Sequence, residues 1–186
     1  DVNLATIAIE HRIADGLTLK NRTMFGDYNK FYQNIYPNSF NATTGRVALA
    51  GYNNRNDRRN LFSQTDLMWE NRLAGIDQTF LVGFEVGGEK SRNKRLTATS
   101  ISPSSVPVDD PTVDADVTFS ALPSDADNRV HASVAAFYVQ DQIRPAKWLE
   151  IVAGLRFDSL KIDVDDLRPV GGGEFRRRDH LWSPRF

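Results

Sequence analysis

Apolar and polar positions alternate along most of this chain, and the spacing of an amphipathic helix is nearly absent. The plainest case runs from Trp148 to Leu160. Its odd positions Leu149, Ile151, Ala153, Leu155 and Phe157 are apolar, while Glu150, Gly154, Arg156 and Asp158 fall between them. From Thr79 to Gly87, Phe80, Val82, Phe84 and Val86 share one face, with Thr79, Gly83, Glu85 and Gly87 on the other. From Arg58 to Glu70, Leu61, Leu67 and Trp69 oppose Asn60, Gln64, Asp66 and Glu70; near the start, Ile7, Ile9 and Ile13 oppose Thr6, Glu10 and Arg12. Leu17 to Tyr28 and Val130 to Ile143 alternate less cleanly, and another strand begins near Asp179. The pattern predicts seven strands and an all-β fold.

The connections predict how the strands are joined. Ala14-Asp15-Gly16, Arg72 to Ile76 and Arg144-Pro145-Ala146-Lys147 carry the Gly, Asp and Pro chemistry of tight turns. Between them lie three long polar stretches, Asn29 to Asp57, Ser91 to Asn128 and Asp163 to Arg178, expected as loops. An antiparallel meander with this order has its short turns at one end and its long connections at the other, which is the asymmetry of outer-membrane barrels. Several strands are also longer than the roughly 5–6 residues usual in soluble proteins. They approach the about 9–11 that a tilted membrane strand needs. A soluble β-sandwich alternates too, but gives no reason for the connections to segregate. The fold expected is an antiparallel transmembrane β-barrel meander, and a partial one, since bacterial barrels generally have an even number of strands from about 8 upwards. Residues 1–186 are expected to be one barrel segment whose two ends look cut.

The 186 residues carry 23 Lys and Arg against 24 Asp and Glu, a formal charge of -1, so the whole chain gives no electrostatic support to a nucleic-acid partner. The absence of Cys excludes disulfides, thiolate metal sites and a cysteine nucleophile. A mean hydropathy of -0.43, with no long apolar run, excludes membrane-spanning helices but leaves spanning strands open.

Several ordered segments resemble one family. Tyr138-Val139-Gln140-Asp141-Gln142, followed by Val152-Ala153-Gly154-Leu155-Arg156-Phe157-Asp158, is similar to the middle of the barrel in TonB-dependent siderophore receptors, and Ser183-Pro184-Arg185 resembles the opening of a later strand. Leu17 to Thr23, the aromatic-rich stretch Tyr28 to Tyr36, Asp57 to Phe62 and Ser124 to Asn128 resemble the catecholate-type branch. The resemblance implies about seven strands of a barrel of roughly 22 with a plugged lumen. It further implies residence in the bacterial outer membrane among lipid and lipopolysaccharide, uptake of a ferric siderophore, and energy from TonB through an N-terminal plug expected to lie outside this chain. No cofactor is implied, iron being carried only as the siderophore complex. Two other readings stand beside it: a passive porin or adhesin barrel without a plug, and an outer-membrane hydrolase, for which Ser133 and His131 share a face without an evident orienting partner.

Most of the other chemistry-bearing residues have plain readings. His11, His131 and His180 lie on different segments without metal-ligand spacing. Asp163, Asp165 and Glu174 begin a calcium-loop pattern that fails at Leu167 and Arg168. Gly171-Gly172-Gly173 reads as a loop tip, and Asp109, Asp110, Asp114 and Asp116 as a solvated acidic stretch. One constellation suits the implied ligand, which is anionic with aromatic rims. Tyr28, Phe31, Tyr32, Tyr36, Phe40 and Tyr52 offer stacking surface, and Arg55, Arg58 and Arg59 offer charge-assisted contacts. The same aromatics could equally form the interfacial girdle of a barrel, and the arginines could pair with surface acids or lipopolysaccharide phosphates. Glu10, Arg12, Arg22, Gln64, Asp66, Glu70, Glu85, Gln140, Gln142, Glu150 and Arg156 are expected to face the lumen and bond the plug.

Overall fold

The structure, a computed structural model, describes all 186 residues. It is one antiparallel sheet of nine strands: β1 Val2–Ala14, β2 Leu17–Asn41, β3 Arg46–Leu73, β4 Ile76–Ser102, β5 Ser105–Pro107, β6 Asp116–Ser120, β7 Asp127–Ala146, β8 Leu149–Asp166 and β9 Gly173–Arg185. The seven long strands follow one another in the order β1-β2-β3-β4-β7-β8-β9, while β5 pairs with β3 and β6 with β4. The sheet is a meander whose outer edges, β1 and β9, are unpaired.

Turn chemistry fixes the register. Leu73 pairs with Ile76, so β3 and β4 are joined by the two residues Ala74 and Gly75, with φ of 51° and 84°. Two positive φ values make this the type I′ hairpin turn whose twist matches that of the strands it joins. Gly16, at φ 70°, does the same service between β1 and β2. At the opposite end, Asn41 accepts backbone hydrogen bonds from Thr43 at 3.0 Å and Thr44 at 3.2 Å, closing the β2–β3 turn over residues 42–45.

The long polar stretches are therefore not loops for most of their length. β2 and β3 run on through residues 29–57 as a continuous hairpin, β4 extends to Ser102, and β8 and β9 take up most of residues 163–178. The physical reason is that alternation marks a strand only where its two faces meet different solvents. The 25 residues of β2 span about 80 Å at roughly 3.3 Å each, well beyond a hydrocarbon core of about 30 Å. Beyond that core both faces meet water, so both can be polar while the backbone ladder continues. Between β4 and β7 the chain folds back as β5 and β6, and the acidic stretch Asp109 to Asp114 is irregular.

Register sorts the side chains onto two unlike faces. One carries Ile7, Ile9, Leu17, Leu19, Phe25, Leu61, Leu67, Trp69, Phe80, Val82, Phe84, Phe137, Leu155 and Trp182, joined strand to strand by Leu19↔Leu67↔Val82↔Val139↔Leu155. This apolar belt runs from Leu17 to Phe25 on β2 and from Phe80 to Val86 on β4, with charged residues beyond it. The other face carries Glu10↔Lys20↔Asp66↔Gly83↔Tyr138↔Arg156. Only 8 of 186 residues are buried, so the sheet has no interior core, and large apolar side chains such as Ile7 and Ile9 stand exposed at 63% and 58%.

On the polar face, two aromatic rings lie across glycines of β4. Tyr138 pairs directly with Gly83 and reaches over it to donate to Asp66, and Phe62 pairs with Gly87. A Cβ at Gly83 would overlap the Tyr138 ring, and one at Gly87 the Phe62 ring. The glycines let the rings lie flat on the sheet and shield its backbone. Gly83→Ala is expected to lower stability by about 1–3 kcal/mol through overpacking. Gly88→Ala, whose Cβ would meet only the Ala132 carbonyl at 3.4 Å, is expected to change it by less than about 0.5 kcal/mol. Urea midpoints would show the difference; equal midpoints would contradict it.

Candidate functional site

The polar face divides into a network zone and, beyond the apolar belt, an aromatic zone. In the network zone, all eleven residues expected toward the lumen share this one face. Gln64 donates to Asp66 at 3.0 Å and to the Tyr138 hydroxyl at 2.9 Å. Arg156 donates to Asp158 at 2.9 Å and to Glu85 at 3.0 Å, with its guanidinium 5.4 Å from the Tyr138 ring. Lys20 pairs with Glu10 at 3.2 Å, Gln142 donates to Glu150 at 2.8 Å, and Arg185 donates to Gln140 at 3.0 Å. These side chains satisfy one another across strands, as cross-strand pairs do.

In the aromatic zone, β2, β3 and β4 converge four of the five tyrosines of the chain. Tyr32 and Tyr52 meet edge to face with centroids 5.5 Å apart, and Tyr36 meets Tyr52 at 6.0 Å. The Tyr32 hydroxyl donates to that of Tyr52 at 2.7 Å. Arg95 stacks its guanidinium 4.0 Å over the Tyr52 ring, and Arg58 lies 4.4 Å over Tyr28, with the Lys30 ammonium 5.5 Å from the same ring. Both arginines are only loosely paired with acids: Arg95 with Asp125 at 3.7 Å and Arg58 with Glu89 at 3.7 Å. Asp125 is buried at 6% and is occupied elsewhere, accepting from the Thr97 hydroxyl at 2.7 Å and from the Thr97 and Leu122 backbone N–H groups at 3.0 and 2.9 Å. It anchors the chain after β6 to β4 and sets Arg95 beneath the tyrosines.

Three polar atoms of this zone are enclosed without a hydrogen bond: Asn34 Oδ1, Asn54 Oδ1 and Arg95 Nε. Enclosed polar atoms are nearly always partnered in folded proteins. Such atoms gathered under a fan of tyrosines, with two arginine faces already stacked on rings, make a surface suited to an anionic, aromatic ligand.

The nine residues grouped as a ligand constellation do not form one cluster. Tyr28, Tyr32, Tyr36, Tyr52 and Arg58 lie on the polar face, whereas Phe31, Arg55 and Arg59 lie on the opposite one, because odd and even positions of a strand point apart. Phe31 pairs with Arg55, Arg59 pairs with Asp27 at 3.2 Å, and Arg55 bonds Asp57 at 3.1 Å. Phe40 pairs with Val47 beyond the bulge between Pro37 and Ser39 and is also outside the cluster. Arg95 was missed because residues 91–128 read as a loop, and its neighbour Asn54 because residues 29–57 did; the signal available for Arg95 was that it keeps the parity of Gly83 and Glu85 along β4. His11, His131 and His180 sit on three different strands. His180 stacks on Phe157 at 5.7 Å.

A family profile described as TonB dependent receptor-like, beta-barrel, matches residues 1–186. The chain belongs to the TonB-dependent receptor β-barrel family. Among solved structures, the siderophore receptor PiuA from Acinetobacter baumannii superposes with a TM-score of 0.78 at 16% identity, over 98% of this chain and 29% of that one. The ferric-catecholate import receptor Fiu from K12 E. coli gives 0.76 at 17% identity, over 98% and 30%. The ferric citrate transporter FecA, unliganded, gives 0.62 at 13% identity, over 98% and 24%. Comparison with curated sequences gives no match. The chain thus spans less than a third of the length of these receptors. At these identities the likeness establishes the shared barrel fold. The family is one of receptors rather than enzymes, and Ser133 and His131 lie on the apolar face of β7.

Its hydrogen bond to Tyr52 holds the Tyr32 phenol above the ordinary tyrosine pKa, since ionisation would remove the donated proton. Tyr52→Phe removes that acceptor, so Tyr32 is expected to titrate at lower pH than in the parent receptor. An ultraviolet phenolate titration, with Tyr32→Phe as the subtraction, measures this; an unchanged or raised pKa would show that the pair is not formed.

Proposed function

We propose that this chain is the ligand-lining segment of an outer-membrane receptor that imports a ferric siderophore of the catecholate type with energy supplied through TonB. The observation that carries the reading is the tyrosine fan of β2 and β3 with Arg58 and Arg95 stacked against it on the polar face. Catecholate rings coordinated to iron are electron-rich and carry net negative charge. Edge-to-face tyrosines and guanidinium groups offer them ring contacts, and the two arginines offer positive charge not tightly bound to acids. The likeness in fold to a siderophore receptor and a ferric-catecholate receptor supports the reading.

The apolar belt is then the surface in contact with the outer membrane. The short turns are the periplasmic end, and the extended halves of β2, β3 and β4 stand on the outer side. The network of Gln64, Asp66, Glu85, Tyr138 and Arg156 lines the lumen. There it holds the barrel wall rigid against the plug, and its hydrogen-bonding groups are those available to that domain. Phe31, Arg55 and Arg59 take no part in ligand capture.

In the full-length receptor, Arg95→Glu and Arg58→Glu are each expected to weaken binding of a ferric catecholate siderophore by at least tenfold, since each reverses a charge beside the ligand. Arg55→Glu, on the other face, is expected to leave the affinity within twofold. Tryptophan-quenching titrations with the iron-loaded siderophore read both. Equal affinities for the Arg95→Glu receptor and the parent would remove the site.

A further inference from the structure

Between the two tyrosine–arginine stacks of the polar face runs a row of side chains that neither stack uses. Register sets Asn56 of β3 directly beside Asn93 of β4, and Asn93 directly beside Asn128 of β7. Lys30 of β2 closes the row at one end and Asp166 of β8 at the other. Adjacent strands lie about 4.8 Å apart, so the three side-chain amides stand within about 10 Å on one face. Tyr28 and Arg58 hold the row on one side of them, and Tyr32, Asn54 and Arg95 the row on the other.

None of the three amides is engaged within the chain. All three residues are half-buried, and their side chains make no hydrogen bond to any other residue, although the groups around them do. The charges that close the row are turned elsewhere: the Lys30 ammonium lies 5.5 Å from the Tyr28 ring, and Asp166 accepts from Arg168 at 2.6 and 3.0 Å. Asn21 shows the contrast, since it donates across β2 and β3 to Ser63 at 3.1 Å and to Thr65 at 2.8 Å. An amide side chain carries two donors and an acceptor without net charge. Its desolvation is recovered only by a partner that both donates and accepts.

Resting on the reading of the tyrosine–arginine cluster as the capture site of a ferric catecholate, we infer that the ligand also carries a sugar. The hexose is seated on Asn56, Asn93 and Asn128, while the catecholate rings meet the tyrosines and arginines on either side. Iron-bound catecholate oxygens accept hydrogen bonds and donate none, and Arg58 and Arg95 already offer them donors. A row serving an anion alone would gain more from further cations than from neutral amides. Sugar hydroxyls on adjacent ring carbons donate and accept at once, so one ring engages both ends of more than one amide. The C–H faces of a hexose also need apolar surface, which the Tyr28 and Tyr32 rings supply from the flanking rows.

The test titrates the full-length receptor, by tryptophan quenching, with three probes: the ferric complex of a synthetic tris(catecholate), the same complex with glucose joined to a catechol ring, and methyl glucoside alone. The parent is expected to bind the glucosylated complex at least tenfold more tightly than the plain one. Asn56→Leu/Asn93→Leu removes two amides at similar volume and is expected to bring that ratio within twofold, with affinity for the plain complex unchanged. Asn128→Leu alone is expected to lower the ratio at least threefold. Arg95→Glu is expected to weaken both complexes alike and to keep the ratio. Equal affinity of the parent for the two complexes, or a tenfold preference retained by the double variant, would overturn the inference. So would methyl glucoside binding as tightly as the glucosylated complex, since the row would then serve a free sugar. Heat-modifiable electrophoretic migration shows that the variants remain folded. Failure of the parent to bind either complex would overturn the receptor reading and this inference with it, a result distinct from tight but equal binding.

Discussion

Lateral pairing of the backbone is the constraint on which everything else in this sheet depends. Of 123 backbone–backbone hydrogen bonds, 116 lie within the strands, and only 8 of 186 residues are buried. A protein with an interior core can hide some polar backbone in irregular structure and compensate with packing. This one cannot, because one of its faces is apolar without being covered by its own chain. In a hydrocarbon environment an unpaired N–H or C=O costs several kcal/mol, so the five inner long strands are laddered on both sides and β1 and β9 on one. That requirement makes every strand pair; the turns and the apolar face fix the register, and register in turn assigns every side chain to a face.

The assignment by parity has a chemical consequence at Arg58 and Arg59. These neighbours in sequence serve opposite environments: Arg58 lies over the Tyr28 ring on the polar face, and Arg59 bonds Asp27 above the apolar belt. A slip of one residue in the β3–β4 pairing would exchange them, and would also carry Leu61, Leu67 and Trp69 into the polar network. The apolar belt therefore protects the position of the tyrosine–arginine cluster, although it touches none of its members. Direct pairing of Tyr138 with Gly83 and of Phe62 with Gly87 adds a second safeguard, since only glycine lets those rings lie across the sheet.

The parts of the fold that were legible in the sequence are those where the two faces meet different surroundings. Leu149 to Phe157 and Phe80 to Val86 alternate because one face is apolar and the other polar, and both are strands in the structure. The turns at Gly16 and Ala74-Gly75 were legible through their residue chemistry. Residues 29–57 were not, because both faces there are polar and hydropathy carries no period; what persists is a ladder between two strands, which is a relation across the sequence and not a local property. The tyrosine cluster was half legible for the same reason. Composition drew Tyr28, Tyr32, Tyr36, Tyr52 and Arg58 together, but parity could not be applied to a stretch taken as loop. Phe31 and Arg55 were therefore grouped with them and Arg95 was left out, while Arg59 was kept beside Arg58 although the strand expected from Arg58 already set the two on opposite faces.

Recognising those stretches as strand changes what kind of site they can make. A ligand surface built on mobile loops must be ordered when the ligand arrives, and the entropy of that ordering is charged against affinity. Here the tyrosines stand on two strands laddered through Asn29↔Asp57, Phe31↔Arg55 and Asn34↔Tyr52, with a third strand supplying Arg95 opposite Asn54. Asp125 ties the far edge of that third strand down with three hydrogen bonds to Thr97 and Leu122. The rings and guanidinium groups are already in contact with one another, so their geometry is set by the sheet itself. The same ladder that satisfies the backbone in the membrane thus continues beyond it as a rigid support for the tyrosine–arginine cluster.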